Sequence, residues 1–196
     1  YDSGIAKKDV LHIETKSGIK ICRVHVENGE VTTVTVDMGK AELVPAKIPV
    51  DFPGDTAVKE KITVLDKEYE VTCVSMGNPH CVVFEDPDSL DLPQIGALFE
   101  NAPVFPERIN TEFVQKIGER TLKMRVWERG SGETWACGTG ASATAVACVL
   151  NGKTDRKVDV ELIGGTLTIE WNAEDNHVYM TGPAEFSFDG EWLREV

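Results

Sequence analysis

Residues 138–149 read GTGASATAVACV, a stretch in which only two valines are larger than threonine. Alanine-rich sequence of this kind favours a helix, yet nothing in it is bulky enough to form a one-sided hydrophobic stripe. Small side chains all round let neighbouring backbone approach the helix closely, and the chain on both sides reads as strand. The stretch therefore predicts a central helix wrapped by sheet. Gly152 stands where a helix C-cap is expected.

The strands are legible from a period of two. "VLHIET", "IKICRVHV" and "VTTVTVDM" alternate apolar and polar residues between "KSG" and "ENGE" turns, which predicts an antiparallel meander. "AELVPAKIPVDFPGD" holds three prolines and reads as a linker or edge crossing, with a domain boundary near residues 38–43. Next come a hairpin, "KITVLDKEYEVTCVS", turning at Asp66 and Lys67, and a strand, "CVVFED". "DLPQIGALFEN" predicts a short helix capped by Asp91 with Pro93 in its first turn. "NTEFVQKI" and "RTLKMRVWE" form a further hairpin, and "KVDVEL", "TLTIEW", "HVYMTG" and "AEFSFDG" end the chain as strands. Two helices among many strands make the fold class α+β. The meander has too few strands to close a core of its own, so the N-terminal region reads as cut.

Charge and cysteine usage exclude several functions. A formal net charge of -13 and a pI near 4.7 set most of the surface against nucleic acid and anionic membrane. No apolar run is long enough for a membrane span and the start has no signal-peptide core, so a cytoplasmic location is expected. The five cysteines form no C-x-x-C and no zinc spacing, which argues for free thiols and no metal site. Cys22, Cys73 and Cys81 lie in strand-patterned runs and read as inert buried thiols.

Cys137 differs because of its neighbours. If a helix begins at Gly138 or Thr139, its unpaired first-turn amides converge beside the thiol, and its dipole is expected to depress the thiol pKa. The same amides can bind a carboxylate. A thiol beside a bound carboxylate suits proton transfer at the adjacent carbon. "MGNPHCVVF" places Asn78 and His80 in a turn bent by Pro79, "ERINTEF" brings Asn110 to the start of a strand, and "VWERGSGET" carries Glu128 and Arg129 toward the cysteine. Together these supply a guanidinium for a second carboxylate and a His and a Glu to manage a thiol proton. A non-catalytic binding module for a dicarboxylic amino acid, needing Asn78, Asn110 and Arg129 but not the thiol, fits the same inventory. A cysteine hydrolase is a further reading.

The motifs GNPH (77–80), RINTEF (108–113), WERGSGET (127–134) and ACGTGA (136–141), in this order, resemble those of diaminopimelate epimerase along essentially the whole chain. The resemblance implies a cofactor-independent, metal-free isomerase that interconverts LL- and meso-diaminopimelate with two cysteine acid/base groups. Cys137 would be one of them, with the Gly138 and Thr139 amides on the reacting carboxylate. Asn78, Asn110 and Arg129 would hold the distal carboxylate and Glu128 the distal ammonium region, with His80 and Glu128 near the thiol. The implied fold is two pseudo-symmetric domains, each a β-rich barrel around a central helix. Residues 1–38 would be a remnant of the first domain, 39–182 the second, and 183–196 a strand returning to the first. The first domain's Cys-Gly-Asn-Gly motif does not occur here, so this chain alone is expected to be inactive, with the missing N-terminal half and a homodimer as partners. Proline racemases and phenazine-biosynthesis-like isomerases of the same fold are the alternatives.

Overall fold

The alternating segments join into one twelve-stranded sheet in the computed structural model, which describes residues 1–191 and 193. β1 (Val10–Thr15), β2 (Gly18–Glu27) and β3 (Glu30–Lys40) form the predicted antiparallel meander. β4 (Val58–Val64), β5 (Lys67–Ser75) and β6 (Pro79–Val83) follow, then α1 (Leu92–Glu100). Next are β7 (Asn110–Lys116), β8 (Thr121–Glu128), the short β9 (Gly132–Thr134) and α2 (Gly138–Leu150). β10 (Lys157–Leu162), β11 (Gly165–Trp171) and β12 (His177–Gly182) complete the described elements.

The spatial order is β1-β2-β3-β12-β11-β10-β8-β7-β6-β5-β4, with β9 paired to β8. Neighbours are antiparallel except β6 with β7 and β8 with β10. Those two connections contain α1 and α2, as a parallel pair requires a crossover. Just past β3, Glu42 and Ser75 exchange backbone hydrogen bonds of 2.9 and 3.0 Å, tying the chain after β3 to the end of β5. The strands from β3 to β5 thus curl into a barrel around α2, as the small-residue helix predicts.

Alternation along β5, β6 and β7 sorts side chains between two cores. Val74, Val82 and Val114 face inward with Ala141, Ala145 and Cys148 of α2. Val71, Cys73, Cys81, Val83 and Phe113 face outward against Leu92, Ile95 and Phe99 of α1. The proline-rich segment is no strand: Pro45–Lys47 is a turn of 3-10 helix, and Ile48 and Val50 pack into the outer core. Asp91 caps α1, its carboxylate accepting from Gln94 N–H at 3.4 Å.

Three local expectations are corrected. The β4–β5 hairpin turns at Leu65 and Asp66, both with positive φ (49° and 60°), one residue earlier than predicted; a two-residue hairpin loop of this hand matches strand twist. The bend before β6 is made by Gly77 (φ 96°), while Pro79 and His80 already belong to the strand, Pro79 opposite Ser75. Proline is tolerated at a strand's first residue. Residues 184–190 form no strand, because among the described residues no neighbour offers them a ladder. Residues 192 and 194–196 of the expected returning strand lie outside the described residues.

Candidate functional site

α2 begins where the Gly-Thr-Gly turn predicts. Cys137 is its N-cap, in extended conformation (φ -142°, ψ 104°), and its sulfur accepts a hydrogen bond from Gly140 N–H at 3.3 Å. The amides of Gly138 and Thr139 have no acceptor within the helix, and both residues are half-buried rather than sealed. At the other end Asn151 is the C-cap, with Gly152 just beyond it in the left-handed region (φ 66°).

The barrel brings strand ends to this helix terminus. Parallel pairing of β6 and β7 sets His80 opposite Asn110, and the β7–β8 ladder sets Thr111 opposite Trp127, so Glu128 and Arg129 emerge beside Asn110. The Asn110 amide donates to Pro79 O (2.8 Å) and its oxygen accepts from Arg129 N–H (2.8 Å), which locks the starts of β6 and β7 to the end of β8. Arg129 extends its guanidinium to Glu107 O at 2.9 Å and pairs with no carboxylate among the described residues. Glu128 accepts from the Thr134 hydroxyl.

His80 is fully buried on the inner face. Its Nε2 lies 3.0 Å from Asn78 Oδ1, the Asn78 amide donates to Thr139 Oγ1 at 3.3 Å, and Thr139 Oγ1 lies 3.5 Å from Cys137 Sγ. Every residue singled out from sequence therefore gathers at one end of the barrel. Glu112, missed in the sequence because it reads as one polar position in the strand pattern "NTEFVQKI", joins them: its Oε1 is 2.7 Å from His80 Nδ1.

The expected depression of the thiol pKa is not met. Burial, followed by the negative charge of Glu112, pushes Cys137 up to about 12, with Glu128 adding to the rise. The Thr139 hydroxyl and the Gly140 amide pull the other way without prevailing. The dipole of one helix turn is the weaker influence against desolvation plus a nearby carboxylate.

The other thiols have different surroundings. Cys73 and Cys81 sit opposite each other in β5 and β6 in the outer core, Cys148 is buried within α2, and Cys22 is half-buried in the meander. Among the described residues no three His, Cys, Asp or Glu side chains converge as metal ligands. A 380 Å³ groove lies away from the thiol, on the outer sheet surface by His25, Thr35 and Tyr179.

Comparison with known proteins is specific. The family model described as diaminopimelate epimerase matches residues 72–187. The diaminopimelate epimerase of Desulfovibrio desulfuricans is 54% identical over 98% of this chain, and that of Acetivibrio thermocellus 52% identical over 97%. In both cases the chain spans 69% of the relative's length. Among solved structures, a probable proline racemase from Agrobacterium radiobacter superposes with a TM-score of 0.71 at 16% identity, over 98% of this chain and 64% of that one. At that identity the likeness is one of fold.

Proposed function

The chain belongs to the diaminopimelate epimerase family, a family of isomerases, and we propose that the N-terminus of α2 is one half of a two-thiol site inverting the α-carbon of diaminopimelate. The observation that carries this reading is Cys137 at the N-cap, its sulfur held by Gly140 N–H beside the two first-turn amides. Those amides hold the reacting carboxylate, into which charge delocalises as the α-proton leaves. The thiolate on one face takes that proton and becomes a thiol. The thiol on the other face gives its proton to the carbon and becomes a thiolate. In one direction of the reaction Cys137 is the proton donor of the pair; in the reverse direction the roles exchange. The chemistry needs neither pyridoxal phosphate nor a metal.

Arg129 and Asn78 take the distal carboxylate, and Glu128 the distal ammonium. Asn110, with both ends of its amide engaged by Pro79 and Arg129 backbone, serves the distal end by fixing its shape as well as by contact. The opposing thiol comes from a segment of the same enzyme outside these 196 residues. Residues 1–38 belong with that segment, 39–182 form the domain around α2, and 183–196 return to the first domain. A cytoplasmic homodimer completes the reading.

The test is exchange of the α-proton of diaminopimelate with deuterated water. The 196-residue chain alone is expected to show neither exchange with inversion nor net epimerisation. Adding a segment built on the rest of a relative's length restores both. Full inversion by the chain alone would place the second acid within these residues and overturn the two-thiol reading.

A further inference from the structure

Glu112 has no part in the proton transfers just described, yet it occupies a costly position. Its side chain is 0% exposed, Oε1 meets His80 Nδ1 at 2.7 Å, and Oε2 has no hydrogen-bond partner among the described residues. A buried carboxylate with a free oxygen destabilises a barrel wall that an apolar residue would fill. Gly140 supplies a second observation. A Cβ there would lie 2.6 Å from Glu112 Oε1 and 3.2 Å from Cys137 Sγ, so carboxylate and sulfur crowd the same point and only glycine fits between them. The contacts of His80, Asn78 and Thr139 then run unbroken from Glu112 to the sulfur.

We propose that Glu112 is a positioning residue for Cys137: its carboxylate holds His80 through Nδ1 and flanks Gly140, as the sulfur also does, anchoring a line His80–Asn78–Thr139 that ends on the sulfur. The proposal rests on the reading of Cys137 as an acid/base thiol. Glu112 on β7 and Glu128 on β8 present negative charge to the thiol, His80 on β6 connects to it through Asn78, and Thr139 offers a hydroxyl from α2. Removing the Glu112 charge therefore favours the thiolate, whereas removing the Thr139 hydroxyl disfavours it.

The experiment follows iodoacetamide alkylation of Cys137 by mass mapping across a pH series, in the 196-residue chain, with circular dichroism as the check on folding. Glu112→Gln is expected to move the Cys137 profile down by about one unit, equivalent to roughly tenfold faster alkylation at a fixed pH on the rising limb. Thr139→Val is expected to move it up. Opposite signs distinguish the line from general loosening, which would also unmask Cys81 and Cys148. An unchanged or raised profile in Glu112→Gln, or an unchanged one in Thr139→Val, overturns the proposal.

If Glu112→Gln does not fold, Glu112→Asp keeps the charge but withdraws it from His80 by one methylene. The solvent-protected imidazole N–H resonance of isotope-labelled His80 should then disappear, and its persistence overturns the proposal. None of these readouts uses diaminopimelate. A failed deuterium exchange with the expected profiles therefore counts against the two-thiol reading alone.

Discussion

Five thiols share one chain, and their neighbours separate them. Cys73 and Cys81 fall on the α1 side of the sheet by strand parity, while Cys137 caps a helix terminus within the field of the Glu112 carboxylate. Burial pushes both Cys137 and Cys148 up to about 12. A folded pKa above the unfolded value near 9 means that the native state holds its protons longer. The stability this contributes is complete below about pH 9 and is lost as pH rises toward about 12. Urea unfolding at neutral pH and near pH 10.5 should show that loss, and Cys148→Ala should flatten the slope while lowering neutral stability slightly. At the distal end of the substrate, Arg129→Lys in the completed enzyme should raise KM about tenfold to a hundredfold with kcat largely kept. A planar fork is there replaced by a point charge, and charge-assisted hydrogen bonds are worth about 1.5–3 kcal/mol. An unchanged KM would remove Arg129 from the carboxylate.

At the level of elements, α1 matters to the site without touching it. Glu100, buried at its C-terminal end, accepts from Trp127 Nε1 (2.7 Å), Gly130 N–H (2.9 Å) and Arg108 (2.9 Å), fastening the loop that follows Arg129. Arg125 grips Glu133 through two nitrogens (2.7 and 3.0 Å), holding β9 on β8 on the way to Cys137. Close approach of α1 to β8 depends on Gly96, where a Cβ would lie 2.5 Å from the Trp127 ring. Alanine normally stabilises a helix interior relative to glycine, but this clash reverses the sign. Gly96→Ala is expected to destabilise the fold by about 1–3 kcal/mol in denaturant unfolding, and a neutral result would mean that Trp127 can move aside.

The whole molecule is packed unevenly. Around α2 the barrel is dense, but the meander leaves one apolar sheet face partly open, where Leu11 pairs with Cys22, Cys22 with Val36, and Val36 with Met180. Phe186 and Phe188 are 76% and 85% exposed, and Trp135, two residues before the thiol, is 75% exposed. Apolar surface of this kind suits the docking face that the proposed two-domain enzyme would require. The chain alone should bind an apolar fluorescent dye and associate with rising concentration. Both effects should fall when the complementary segment is added, and a monomeric chain that binds no dye would remove the docking role of this face.

The amino-acid sequence by itself determined most of the elements and which residues gather at the N-terminus of α2. Period-two runs marked the strands, a run of small residues marked a helix that must be enclosed, and four ordered motifs marked the residues gathered at its N-terminus. These signals are local, carried by neighbouring positions along the chain. Only the tertiary structure decided what depends on distance across it: the bridge from Glu42 to Ser75 that closes the barrel, Glu112 against His80 with its charge acting on Cys137, and a thiol pKa moved up rather than down. Residues 184–190 illustrate the same division, since strand-like alternation becomes a strand only where another strand supplies its hydrogen bonds. Burial and charge at a point are sums over everything packed around it, and no local pattern contains them.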